Sequence, residues 1–509
     1  MIPPDPDLSG LLRERAGPVR AELRSFPSIP LWHVETSGWY ASTPMNLKRC
    51  AVPYLLALAV MAPGSLPSAQ EATPPPISSQ PARTSPAWLK SGVIYQVFVR
   101  SFSPTGDLNG VTARLDELHA LGVNILWLMP IHPDGQIKKK GSLGSPYAVR
   151  DYYAIEPALG TKDDLRRLVT EAHRRQMKVI IDIVANHTAW DSVMMAHPDF
   201  YKKDKEGHIT YPHDWTDVAW LDYSNPKLRQ YMLDMLIYWI KDFDLDGYRC
   251  DAAGEVPTDF WEQARVALDK VKPDIMMLAE ANKPELLKSA FDIDYSWPLM
   301  HTLNDVIMSG EPAVAIRANI EQQQALFPRG ALHMRISDDH DELRATTRYS
   351  YPGAIAASAL IFTLDGAPLI YNGMEVGDST QSAAPALFEP QKIFWQSVVW
   401  HPEYPKFYAA MATLREQHPA LQQGEIVWLH NSDEQHVVTF LRRAAQEEFL
   451  VAVNLSNTPF RGTVWVDTRI WKEIDLPVSK PEIVAVPFVA LDAFGVRIYQ
   501  RATPLDHQP

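Results

Sequence analysis

Between residues 92 and 373 the chain changes its apolar period again and again, and this alternation constrains the fold more than any other feature. "GVIYQVFVRSF" (92–102), "VNILWLMP", "KVIIDIVAN", the run ending at Arg249 and Asp251, "IMMLAEAN", "LHMRISDDHDE" and "ALIFTLDGAPLIYNG" read as strands. Helical stretches lie between them. "VTARLDELHALG" (111–122) is amphipathic and ends at Gly122. "TKDDLRRLVTEAHRRQ" (161–176) has Thr161 as N-cap, with Leu165, Leu168, Val169 and Ala172 at helical spacing. Asn225-Pro226 opens a helix to about Asp242, and "TDFWEQARVALDKV" is another. Repeated strand–helix units imply a parallel sheet. About eight such strands fit a closed (β/α)8 TIM barrel, expected over residues 88–415. After about residue 420, "EIVWLH", "HVVTFLRR", "EFLVAVNLS", "GTVWVD" and "GVRIYQ" are strands without intervening helices. They predict a C-terminal antiparallel β-sandwich domain over 416–503.

The start of the chain reads differently. "MNLKRCAVPYLLALAVMAPGSLPSAQ", from Met45, joins a basic start (Lys48, Arg49) to an apolar run and then small residues, the layout of a secretory signal peptide over 45–69. The apolar run is too short to span a bilayer, so no stable membrane insertion is expected after its removal. Residues 1–44 show no helical or strand period and are read as an upstream segment preceding the true start. Residues 70–87, rich in Pro, Ser and Ala, read as a disordered linker. These features predict a periplasmic or secreted protein.

A net charge of −13 without a long basic block argues against nucleic acid as a partner. Lys138, Lys139 and Lys140 read as a solvated loop. The two cysteines are Cys50 and Cys250, and the first lies in the segment expected to be removed. That leaves no internal disulfide and no cysteine-cluster zinc site. Cys250 is expected as a small core residue facing away from its neighbours' side chains. The 15 tryptophans and 19 tyrosines are mostly core, with some available to stack on sugar rings or other flat ligands.

"GYRCDAAGEVP", from Gly247, places Arg249 and Asp251 two residues apart on a strand, hence on one face. Burying both is costly unless they pair or do chemistry, and the stretch alone leaves both readings open. Barrel active sites lie at the C-terminal ends of strands. There the sequence supplies Asn186 and His187, Asp251, Glu280, and His340 with Asp341. Four strand ends delivering acids or imidazoles point to an active site. Clustered carboxylates suit an oxocarbenium-like transition state, with one acid protonated for the leaving oxygen and another ionised to attack carbon. Arg249 would hold Asp251 ionised.

These residues carry a resemblance. "DIVANH" (182–187), "GYRCDAAGE" (247–255), the "AE" ending at Glu280 and "DDHD" (338–341), with "SPYAVRDYYAI" (145–155) in support, resemble the motifs of the α-amylase family (glycoside hydrolase family 13) over roughly residues 90–500. The resemblance implies Asp251 as nucleophile, Glu280 as general acid and base, and Asp341 as the third carboxylate gripping sugar hydroxyls. It implies that His187 and His340 hydrogen-bond the sugar, that Tyr147 stacks on it, and that Arg249 pairs with Asp251. The implied activity is retaining hydrolysis of α-glucosidic bonds in starch, maltodextrin or related oligosaccharides. The alternatives are a transglycosylase or trehalose/sucrose-type isomerising enzyme on the same fold and, from another class, a non-catalytic glucan-binding protein. The last would be expected to have lost a catalytic carboxylate, and all three are present.

The chain departs from the family in places. Gly254-Glu255 stands where the family often has Lys-His, and Asp339 where it usually has Asn. The inserted domain B, about residues 186–224, is short and holds Trp190, Trp215, Trp220 and Tyr223. In calcium-binding relatives, ligands come from an asparagine like Asn186, a carboxylate in domain B and a backbone carbonyl near position 255. The carboxylate position falls at Trp220 here, and indole cannot coordinate calcium. No cofactor is therefore expected to be required; Asn186 is the one motif-matched candidate calcium ligand, and Asp222, two residues from Trp220, could restore a site if the backbone were re-aimed.

Overall fold

The computed structural model describes residues 75–380, 383, 386–479 and 485–502. The proposed upstream segment and signal peptide lie outside the described residues. Three strands come first, β1 (Ile94–Val97), β2 (Ile125–Leu128) and β3 (Lys178–Val184). An insert follows, carrying the antiparallel pair β4 (His187–Ala189) and β5 (Val218–Trp220). Then come β6 (Gly247–Asp251), β7 (Met276–Ala279), β8 (Ile293–Tyr295), β9 (Leu332–Arg335) and β10 (Ala367–Tyr371). Eight of these strands close a parallel barrel in the order β1-β10-β9-β8-β7-β6-β3-β2.

Period-two alternation sorts the barrel residues. Ile94, Ile125, Trp127, Ile180, Met276, Leu278, Ile293, Met334 and Leu369 form the interior cluster. Their neighbours Tyr95, Leu126, Val179, Ile181, Tyr248, Cys250 and Met277 pack in the larger cluster that includes the surrounding helices. Cys250 thus faces away from Arg249 and Asp251, as expected, and is fully buried. The inward parity continues upward into polar residues. Gln96, Asp182 and Arg249 are each 0% exposed. β6 begins on Gly247 at φ +149°, where a Cβ would lie 1.9 Å from the Met276 carbonyl oxygen, so only glycine lets β6 lie against β7 here.

Several element boundaries differ from expectation. The chain turns helical at Val99–Phe102 right after β1, and the predicted helix over 111–122 is split into Leu108–Thr112 and Leu115–Ala120. The first half of "ALIFTLDGAPLIYNG" belongs to the helix Ala345–Thr363, and only Ala367–Tyr371 is strand. Gly366 at φ +83° makes that turn. β8 has only three residues, too few for a period to show. The stretch expected as a linker is tied down from Gln80 on, whose carbonyl accepts from the Arg329 amide at 2.8 Å. The Ala82 and Arg83 amides donate to Arg329 and Leu287 carbonyls, and the Arg83 guanidinium pairs with Asp269 at 3.0 Å and Asp292 at 3.3 Å.

Thr161 does cap its helix. It closes a capping box with Asp164 at the start of Lys162–Arg174, whose buried face is Leu165, Leu168, Val169 and Ala172. Thr161→Ala is expected to lower stability by about 1 kcal/mol, read as a lower denaturation midpoint at unchanged activity.

The C-terminal region contains β11 (Glu425–Trp428), β12 (Val437–Arg443), β13 (Glu447–Asn454), β14 (Phe460–Thr463), β15 (Lys472–Glu473), β16 (Phe488–Leu491) and β17 (Val496–Ala502). An antiparallel sheet β11-β12-β13-β17-β15 and the pair β14-β16 enclose Leu441, Leu450, Phe460, Leu491 and Tyr499. Buried Arg442 joins this domain to the barrel, donating to the Thr363 carbonyl at 2.7 Å. That carbonyl ends the helix Ala345–Thr363, where the partial charge is negative.

Candidate active site

At the upper rim of the barrel one cation gathers three carboxyl groups. Arg249 Nη1 donates to Asp182 Oδ1 at 2.9 Å and to Asp251 Oδ1 at 2.8 Å. Its Nη2 lies 2.8 Å from Glu280 Oε1, and its Nε donates to the Tyr295 hydroxyl at 3.1 Å. Parity puts these groups together. Residues 249 and 251 share the inward face of β6, Asp182 has it on β3, and Glu280 continues it at the end of β7. Glu280 is further fixed by the Ala252 amide, which donates to Oε2 at 2.7 Å.

Burial raises all three acids above their ordinary values, and Arg249 opposes the rise. Asp182 is pushed up to about 8 and Glu280 to about 7, the latter helped by the Asp251 charge. Asp251 is raised by burial too, against the charge and hydrogen bond of Arg249. Both acids are raised by burial and opposed by Arg249, and Glu280 is raised further by the Asp251 charge, which favours the proton on Glu280.

A second chain of hydrogen bonds runs across the site. Gln96 Nε2 meets His340 Nδ1 at 2.7 Å, His340 Nε2 meets the Tyr147 hydroxyl at 2.7 Å, and that hydroxyl donates to Asp182 Oδ2 at 3.2 Å. With the Gln96 amide at Nδ1, the imidazole proton sits on Nε2. Burial and the Arg249 charge hold His340 well below its usual value, so the ring is neutral. Tyr147, expected to stack on a sugar, here lies parallel to His340, ring centres 5.4 Å apart and 16° between planes.

Asp341 stands at the open side, its side chain 41% exposed and 3.4 Å from His340 Nε2. Asp339 behind it is fully buried, receives the Asp341 amide on Oδ1 at 3.0 Å, and is raised by burial and by Asp341. A protonated Asp339 presents one oxygen and one O–H donor, the same pattern as the asparagine that the motif usually carries. His187 is buried beside Trp215, ring centres 5.5 Å apart, and burial lowers it to about 4. The His213 ring centre lies 5.0 Å from that of Trp215, and its Nε2 lies 3.7 Å from Glu255. The Gly254-Glu255 departure therefore places a carboxylate beside the aromatic wall of the insert.

The structure thus brings Tyr147, Arg249, Asp251, Glu280, His340 and Asp341 together, with His187 on the insert side. Asp182, Gln96 and Tyr295 were not anticipated. Their signal was present, since each is a polar group on the inward parity of a strand whose other inward residues are apolar.

The residues near Asn186 do not fit calcium. Asn186 Oδ1 accepts a hydrogen bond from Trp220 Nε1 at 3.0 Å. Lys202 Nζ sits 3.3 Å from the centre of the same indole ring, adding positive charge where a dication would need oxygens. Among the described residues, Asp339, His340 and Asp341 bring ligand atoms within 4.8 Å of one another. Both His340 nitrogens there are already engaged by Gln96 and Tyr147.

Comparison with known proteins agrees with this geometry. The model of the α-amylase catalytic domain matches residues 91–219 and 211–400. An α-amylase from Lactobacillus plantarum is 32% identical and superposes with a TM-score of 0.73, covering 81% of this chain and 99% of that one. A noncanonic maltogenic α-amylase from Thermotoga neapolitana is 30% identical, with a TM-score of 0.71 over 82% of this chain and 97% of that one. The intracellular maltogenic amylase of Bacillus subtilis is 27% identical over 428 residues, 73% of this chain and 70% of its own. That relative overturns the expectation of a periplasmic or secreted protein, because resemblance of this order extends to an enzyme named as intracellular. No helix among the described residues is long and apolar enough to cross a membrane.

Proposed function

Since this chain belongs to the α-amylase family, we propose that it hydrolyses α-glucosidic bonds of starch, maltodextrin or related oligosaccharides with retention of configuration, through a covalent glycosyl-enzyme. The observation that carries this is the Arg249 cluster, in which one guanidinium holds Asp251 at 2.8 Å on Nη1 and lies 2.8 Å from Glu280 on Nη2. Inverting glycosidases separate their two carboxyl groups by about 6.5–9.5 Å to admit a water molecule. Retaining enzymes bring theirs to about 5–5.5 Å, the kind of close pairing that one shared guanidinium favours.

Asp251, held ionised by Arg249, attacks the anomeric carbon while Glu280 passes its proton to the leaving glycosidic oxygen. Arg249 neutralises part of the Asp251 charge without bonding its second oxygen. Glu280, relieved of its proton, then draws one from water, which releases the sugar and restores the starting state. Asp341, exposed on the open side, takes sugar hydroxyls. His187 and the ring of Tyr147 border the same space. Hydrolysis of maltoheptaose, with the anomeric configuration of the first products followed by NMR, tests this. α-Configured products are expected, and β-configured ones would rule the proposal out.

The raised groups set the pH dependence. The acid must be protonated, so kcat/KM falls as pH rises through the Glu280 value of about 7. The nucleophile must be ionised, so activity also falls at low pH, through a value above the ordinary aspartate range. A bell-shaped profile on maltoheptaose is expected. An alkaline limb absent up to pH 9 would contradict the role given to Glu280.

A further inference from the structure

We propose that Lys202 and Trp220 take the place of a metal ion as the fastening between the insert and β3, and that through Asn186 they set the hydrogen-bonding state of His187. The role for His187 rests on the function proposed above, whereas the fastening does not.

The backbone already threads these residues together. The Lys202 amide donates to the Trp220 carbonyl at 2.9 Å, and the Leu221 amide to the Asn186 carbonyl at 3.1 Å. β5 lies against β4 with Trp220 opposite His187. The side chains complete the joint. The Lys202 ammonium caps one face of the Trp220 ring, 3.3 Å from its centre, a cation–π contact strengthened by partial removal from water. Burial lowers the Lys202 value, and the nearby charges of Asp222 and Glu255 oppose this and favour the ammonium. A fixed cation, two acidic neighbours and an asparagine thus meet at the base of the insert. The cation is covalently part of the chain.

The indole decides more than packing. Its N–H is a donor only, so the Asn186 atom facing it at 3.0 Å must be the oxygen. The Asn186 amide nitrogen is then the atom 3.4 Å from His187 Nδ1. A neutral imidazole facing that N–H uses Nδ1 as acceptor and carries its proton on Nε2. Burial keeps the ring neutral in the working pH range. Trp220 therefore acts as a positioning residue two steps from the sugar. A metal bound to the Asn186 oxygen would orient the same amide in the same way, which is why one device can replace the other.

The test uses the whole protein and has three arms. Dialysis against EDTA, followed by millimolar calcium, is expected to move Tm by less than about 1 °C and to leave kcat/KM unchanged. A large loss on chelation that calcium restores would overturn the fastening, and this arm needs no activity to be judged. Lys202→Met is expected to lower Tm by a few degrees, and Lys202→Arg, which keeps a cation over the ring, to recover most of it. Equal Tm values for wild type and Lys202→Met would also overturn the fastening. Trp220→Phe keeps an aromatic ring for Lys202 but removes the N–H. It is expected to raise KM and lower kcat/KM by about tenfold with Tm nearly unchanged. If Trp220→Phe matches wild type in kcat/KM, the link to His187 is wrong. If wild type itself fails to cleave any α-glucan, the functional proposal fails while the EDTA and Lys202 arms still decide the fastening.

Discussion

Asp251→Asn is expected to lower kcat on maltoheptaose by several powers of ten, on the order of 10³–10⁶, while leaving the fold intact. The substitution is nearly isosteric, and the asparagine oxygen still accepts from Arg249 Nη1 at the position Asp251 Oδ1 holds. What is lost is the charge that forms the covalent bond. Glu280→Gln is expected to fall comparably on unactivated glucans for a different reason, because it cannot deliver a proton to the leaving oxygen. The two are separable. An α-maltosyl fluoride needs little acid assistance, so Glu280→Gln should regain much of the first step on it, whereas Asp251→Asn should not. Circular dichroism and Tm establish folding. Near-wild-type turnover by either purified variant on maltoheptaose would remove that residue from the proposed mechanism. The opposite pattern on the fluoride would exchange the two roles.

The barrel was legible because parallel strands separated by helices leave few alternatives, and because each long strand shows its own inward and outward sets. The site was legible for a related reason. Asp251, Glu280, His340 and Asp341 stand at or just beyond strand ends, where a barrel gathers side chains from distant parts of the sequence. Lateral contacts within the barrel were less visible. Asp182 sits in the middle of an apolar strand, and only its registry with Arg249 across β3 and β6 reveals it as the partner of that cation. The sequence pairs Arg249 with Asp251, and the structure gives the same guanidinium Asp182 and Glu280 as well. β8 escaped because three residues carry no period. The stretch before Trp88 has the composition of a linker, while its anchors, the backbone bonds of Gln80, Ala82 and Arg83 and the Arg83 side chain, have partners far away in sequence. The bond of Trp220 to Asn186 and its contact with Lys202 depend on the path of the insert, which no periodicity encodes.

Arg249→Met is expected to be among the most damaging single substitutions in the protein for stability as well as activity. The guanidinium is 0% exposed and serves Asp182, Asp251, Glu280 and the Tyr295 hydroxyl at once. Methionine fills similar space and leaves three buried acids without their cation. Removing one partner of a buried ion pair costs about 3–5 kcal/mol. The acids limit the damage by taking up protons, which fixes the sign of the pH dependence. Asp182, Asp251 and Glu280 already lie above their ordinary values, and each rises further once Arg249 is gone. A group whose folded value is raised contributes its full stability below the unfolded value, and that contribution is lost as pH climbs through the folded value. The variant should therefore be nearest to wild type around pH 4–5 and fall progressively behind it towards pH 8. Arg249→Lys keeps the charge but has no fork to reach three carboxyls, so it should be intermediate in Tm and still poorly active. Thermal unfolding of the three proteins across this pH range checks the expectation. A constant Tm difference at every pH would mean that the loss is one of packing, and that Arg249 does not hold down the values of these acids.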